Sequence, residues 1–152
     1  IRDVAPSRGL GDVYKRQYLD SPNQPLFPFG YGLSYTTFEY SEIQMEDKQL
    51  TRDGKLNVSV KVKNTGKYKG TETVQLYIRD LVASVTRPVK ELKSFRKVEL
   101  KPGEEKKVEF VITEKDLRFW NDKKQFISEP GKFHLFIGTD SENVKKAEFV
   151  LL

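Results

Sequence analysis

From Thr36 onward, apolar and polar residues alternate in short runs separated by turn residues. Between Leu56 and Lys63, Val58, Val60 and Val62 fall on one side and Ser59, Lys61 and Lys63 on the other. A period of two marks a strand with one buried face. The same period recurs over Thr71–Arg79, with Val74, Leu76 and Ile78 inward. It returns in Lys107–Ile112 through Val108, Phe110 and Ile112, and then through Phe133, Leu135 and Ile137. Thr36–Gln44 carries Phe38 and Tyr40 on one face, and Lys146–Leu152 ends the series with Ala147, Phe149 and Leu151. Asp53-Gly54, Asn64-Thr65-Gly66, Lys101-Pro102-Gly103, Asn121-Asp122 and Pro130-Gly131 supply turn chemistry between the runs.

Three stretches depart from the pattern. Asp80–Pro88 reads as the longest loop, and Pro88 keeps the next strand from starting inside a central ladder. In Val89–Leu100 the spacing of three between Leu92 and Phe95 breaks the alternation and predicts a bulge. Thr113-Glu114-Lys115-Asp116 has the form of a helix start, with Thr113 as cap and Asp116 in the place usually held by Glu or Gln. Phe119-Trp120 returns to strand composition, so that helix is one turn long. Short strands, almost no helix and turns about every 8–12 residues predict an all-β, immunoglobulin-like sandwich of about seven antiparallel strands. The domain is placed at residues 36–152. Residues 1–17 have no usable period and read as disordered or foreign to the fold, and residues 18–35 read as an interdomain linker.

Composition adds little beyond class. The chain has 152 residues, 37% hydrophobic and 32% charged, which suits one globular domain with flanks. Cysteine is absent, which removes disulfides, thiolate metal sites and cysteine nucleophiles. No apolar run approaches the roughly 20 residues of a membrane span, so no membrane partner is expected. The formal charge is +5, but both signs are interspersed, as in Glu104-Glu105-Lys106-Lys107. A basic sandwich that binds nucleic acid would gather lysines such as Lys61, Lys63, Lys67 and Lys69 on one face. A solvated surface is the simpler account, and no nucleic-acid partner is expected.

Several short segments carry a sharper signal. Pro28-Phe29-Gly30-Tyr31-Gly32-Leu33-Ser34-Tyr35-Thr36 resembles the P-F-G-x-G-L-S-Y-T segment of family 3 glycoside hydrolases, where the catalytic half meets a C-terminal fibronectin type III-like domain. Asn64-Thr65-Gly66, Arg87-Pro88-Val89-Lys90-Glu91-Leu92, Leu100-Lys101-Pro102-Gly103-Glu104 and Glu129-Pro130-Gly131-Lys132-Phe133 are similar to further segments of that domain, in the same order. The resemblance runs from about Tyr18 to Leu152 and comes nearest to bacterial periplasmic β-glucosidases. It implies a periplasmic or secreted parent and an upstream helix-and-strand domain. Ile1–Gln17 does not continue such a domain, so the expectation is a chain cut from a longer one.

The resemblance also implies what is missing. Retaining glycosidases use two carboxylates about 5–5.5 Å apart. In the family both lie in the upstream domains, so neither role falls on a residue of this chain. The chain is expected to be inactive alone, with no catalytic residue, no metal and no cofactor. Its partners are the upstream catalytic domains of the same parent, with carbohydrate reached only through them. Glu72, Glu109 and Glu148 are expected on the solvent face of their strands. His134, the only histidine, alternates with Phe133 and Leu135 and points outward. Tyr77 and Trp120, with Phe119, offer the one aromatic set for an alternative, an autonomous carbohydrate-binding module, with core packing as the competing account.

Two segments remain as candidate contact sites. Phe27, Pro28, Phe29 and Gly30, then Tyr31, Gly32, Leu33 and Tyr35, interleave aromatics with glycines. Such a stretch either packs on the catalytic half or plugs an end of this domain's own core. The loop from Asp80 to Arg87 is the second candidate, for a rim of the parent's substrate cleft.

Overall fold

A computed structural model describes residues 25–152. The expectations for residues 1–17 and for the 18–24 part of the linker lie outside the described residues. The fold is two facing β-sheets. The first is built on β4 (Lys55–Asn64), which pairs along its whole length with β7 (Glu105–Thr113). The other edge of β4 carries β1 (Phe38–Tyr40) and β2 (Gln44–Met45) in succession. The second sheet runs in the order β3 (Gln49–Leu50), β11 (Val144–Leu151), β10 (Gly131–Gly138), β5 (Gly70–Asp80), β6 (Glu91–Leu100). A separate hairpin joins β8 (Phe119–Trp120) to β9 (Phe126–Ile127).

The inward residues of both sheets meet in one core. Leu56, Val58, Val60 and Val62 of β4 and Val108, Phe110 and Ile112 of β7 face Val74, Leu76 and Ile78 of β5 and Leu135 and Ile137 of β10. Phe133 and Phe149 stack across β10 and β11 with ring centroids 5.4 Å apart. All of these except Leu56, which shares the parity of Val58, were expected inward from the period of two. The single helical turn, α1 (Glu114–Leu117), also forms where the capping sequence places it. Asp116 accepts hydrogen bonds from the Thr113 backbone N–H at 2.8 Å and hydroxyl at 2.7 Å.

Three details depart from expectation, and a fourth follows from the bulge that the Leu92–Phe95 spacing predicts. The Thr36–Gln44 strand is split in two, because Ser41 substitutes its hydroxyl for a backbone acceptor: Ser41 Oγ accepts from Lys61 N at 3.0 Å. One ladder, β3 against β11, is parallel, so the fold is not wholly antiparallel. Phe95 stands outward and exposed, because the bulge that sets Lys93 between the Leu76–Ser94 and Tyr77–Leu92 pairs lies beside it on an edge strand. Glu72 is buried instead of solvent-facing, since it shares the inward side of β5 with Val74 and Leu76.

Asn64, at the end of β4, is bonded through both ends of its side-chain amide. Its Oδ1 accepts from the Thr36 hydroxyl at 2.6 Å and from Gly66 N at 3.0 Å. Its Nδ2 donates to the carbonyls of Tyr68 at 2.8 Å and Leu100 at 3.0 Å. Every bonding position of the amide is used, and the residue is fully buried. Asn64→Ala would strand buried partners, so it is expected to lower stability by about 2–4 kcal/mol. A lower urea midpoint at unchanged slope would show it.

Candidate functional site

The inward face of β5 is core, and the outward face holds Gln75 and Tyr77. Both are buried, Tyr77 to 1% exposure, because residues 28–31 cross over them as a strap. Tyr31 N donates to Pro28 O at 3.0 Å and tightens the strap into a turn. Gln75 Nε2 donates to Gly30 O at 3.0 Å and also to Thr139 O. The Tyr77 hydroxyl donates to Gln75 Oε1 at 2.5 Å and lies 3.4 Å from Phe29 O. Ser141 N donates to Phe29 O at 2.9 Å. Lys90 Nζ donates to Ser141 O and lies 5.0 Å from the Phe136 ring centroid.

The strap is thus held by its carbonyls, and this decides where its side chains go. Phe29 touches Tyr77 edge-on at 6.4 Å but remains largely exposed, and Phe27 and Tyr31 pair with each other at 5.1 Å. Leu33 and Tyr35 are 90% and 98% exposed. The segment lies on the outer sheet face, with most of its apolar surface turned to solvent. Pro28, Gly30 and Gly32 supply its backbone path. Gly30 sits at φ +81, and a Cβ there would fall 2.1 Å from Gln75 Oε1 and 2.8 Å from the Tyr77 hydroxyl.

The other proposed contact residues are placed differently. Asp80 ends β5 pointing inward; burial raises its carboxyl above the ordinary range, against the lowering effect of the Val82 N–H and the Arg87 charge. The Arg87 guanidinium lies 4.5 Å over the Phe119 ring and bonds Glu91 at 2.7 Å. Both residues anchor the loop at its base, and Leu81 and Val82 are the large apolar side chains it exposes.

Of the aromatic set, Tyr77 and Phe119 are buried and only Trp120 is exposed. Trp120 meets Phe126 at 5.4 Å with planes 41° apart, so the two rings do not form one flat platform. His134 points outward as expected, with Nε2 3.0 Å from Glu148 Oε1. Glu109 and Glu148 are exposed as expected. Lys61 and Lys69 pair with Glu105 and Glu99 at 3.3 and 2.8 Å, which breaks up that lysine face. Among the described residues, no helix is long and apolar enough to cross a membrane and no cluster of three metal-ligating side chains is present.

The strap ends beside a polar cavity that the sequence did not signal. Glu72, Thr73, Gln75, Asp140 and Asn143 line it with Gly30–Ser34. Tyr40 donates its hydroxyl to Glu72 Oε1 at 2.8 Å. Burial raises the Glu72 carboxyl, the Tyr40 hydrogen bond opposes this, and the Asp140 charge adds to it. Burial also pushes Asp140 up, but hydrogen bonds from Asn143 and Glu142 prevail and hold it below the ordinary range.

Residues 72–141 match the family model described as a fibronectin type III-like domain. The chain is 51% identical over 139 residues to the periplasmic β-glucosidase of Salmonella typhimurium, covering 91% of this chain, strap included, and 18% of that protein. It is 53% identical over 131 residues to β-glucosidase BoGH3A of Bacteroides ovatus, covering 86% of this chain and 18% of the relative. Among solved structures, the β-glucosidase of Listeria innocua in complex with glucose superposes with a TM-score of 0.83 at 44% identity, over 88% of this chain and 18% of that one. The chain spans about 18% of the length of these relatives.

Two outcomes are expected from this geometry. Gly30→Ala should displace the strap at a cost of about 1–2 kcal/mol, seen as faster proteolytic cleavage within residues 25–35. For Glu72, the folded-state value lies above the unfolded 4.5, so the fold holds the proton longer and loses stability as pH rises from about 4.5 through the folded value. Glu72→Gln keeps an acceptor for Tyr40 and removes the ionisation. It should raise the melting temperature at neutral pH and change it little near the unfolded value. A variant less stable than the parent chain at neutral pH would refute this.

Proposed function

We propose that this chain, which carries a fibronectin type III-like domain and is similar to a segment of family 3 β-glucosidases, is the C-terminal accessory sandwich of such a glycoside hydrolase. The exposed strap carries the proposal. A row of aromatics is held rigidly outward by backbone hydrogen bonds, where an isolated domain gains nothing from it. Its role is to brace the upstream catalytic domains through Phe27, Phe29, Tyr31, Leu33 and Tyr35. The loop anchored by Asp80 and Arg87 is a second contact, presenting Leu81 and Val82 toward the parent's cleft rim. The parent hydrolyses terminal β-linked sugars with retention, in the periplasm or outside the cell. The catalytic carboxylates belong to its other domains.

The test joins activity to stability. The purified chain should not turn over a chromogenic β-glucoside. Phe29→Ser with Tyr31→Ser should lower the melting temperature of the parent enzyme by several degrees while barely moving that of the isolated chain. Equal losses in both would mean that the strap serves only its own domain. Turnover by the isolated chain would sink the proposal outright.

A further inference from the structure

Phe95 is one of the large apolar side chains left on the surface. It projects from edge strand β6 and is 56% exposed. The ladder puts it directly across from Gln75, the side chain that holds Gly30 of the strap. Leu92, also exposed, lies across from Tyr77, on which Phe29 rests. Directly opposed residues on adjacent strands have Cβ atoms about 5 Å apart, so Leu92 and Phe95 stand next to the two residues that the strap covers. Val89 lies beside Lys90, which bonds Ser141, and Ser141 in turn bonds Phe29. At the margin of this surface stand Arg79 and Lys97, outward and exposed, and neither meets a carboxylate among the described residues. Lys93 and Lys69 are paired, with Glu91 and Glu99.

We infer that the docking face extends past the strap onto β6, with Leu92 and Phe95 at its centre and Arg79 and Lys97 at its rim. Its occupant is the upstream part of the parent chain, through an apolar patch bordered by acidic residues. This rests on the accessory-domain reading and specifies the partner's chemistry. Apolar centre and charged rim match the general anatomy of interfaces, in which rim charges select and orient the partner.

Hydroxyl-radical footprinting of the 152-residue chain and of the full parent enzyme separates the possibilities. Oxidation of Phe95 and Leu92 should fall several-fold in the parent, together with that of Phe29 and Tyr31. Protected strap residues with Phe95 equally oxidised in both samples would overturn the inference and leave the accessory reading standing. No protection of either would overturn both. Protection of Phe95 only at high concentration of the isolated chain would assign the face to a second copy and so refute the inference. Lys97→Glu should lower the parent's melting temperature more at low salt than at high salt, with no change in the isolated chain. The same shift in both would remove the acidic border from the partner's description.

Discussion

The outer face of β5 is closed by main chain, and most of this molecule's arrangement follows from that. Gln75 and Tyr77 carry polar tips that must be bonded once covered. The carbonyls of Phe29, Gly30 and Thr139 meet that need. A segment that spends its backbone on the sheet cannot also bury its side chains there. The aromatics of the strap are therefore left facing away, and the same bonds that cover β5 leave an apolar surface exposed.

The inner side of the sandwich obeys a simpler rule. Six strands of eight or more residues bring one face each to a common core. Asn64 closes one end of that core by joining the chain before β1, the turn after β4 and the end of β6. The strap leads into β1 by way of Thr36, which bonds Asn64, so strap and core share one anchor. A domain fixed in this way can transmit a contact made at the strap directly to its rigid sheets. That is the mechanical requirement of a brace, and it needs no reactive group of its own.

Glu72 and Arg87 show where surface and core mix. Each is ionisable, each was expected at the surface, and each is bonded inside the fold. For Glu72 the signal was available in principle, since it has the inward parity of Val74 and Leu76. Its charge argued the other way, and Tyr40 resolves the conflict by crossing the core with its hydroxyl. For Arg87 no local pattern exists, because its partner ring, Phe119, comes from a hairpin that follows three strands later.

Alternation along the chain determined by itself which residues of β4, β5, β7, β10 and β11 face inward, because side-chain direction in a strand is a local property with a period of two. Turn residues and a capping sequence likewise marked the ends of elements, and the broken spacing at Leu92–Phe95 marked the bulge. What covers the other face of a sheet is not local. Tyr77 and Phe136 have outward parity and are buried, while Phe95 has the same parity and is exposed. Over Tyr77 lies a strap whose bond to Gln75 spans 45 residues, and over Phe136 lies Lys90. Only the tertiary structure could decide it, because outward parity says that a side chain leaves the core and nothing about whether another segment then lies on top of it.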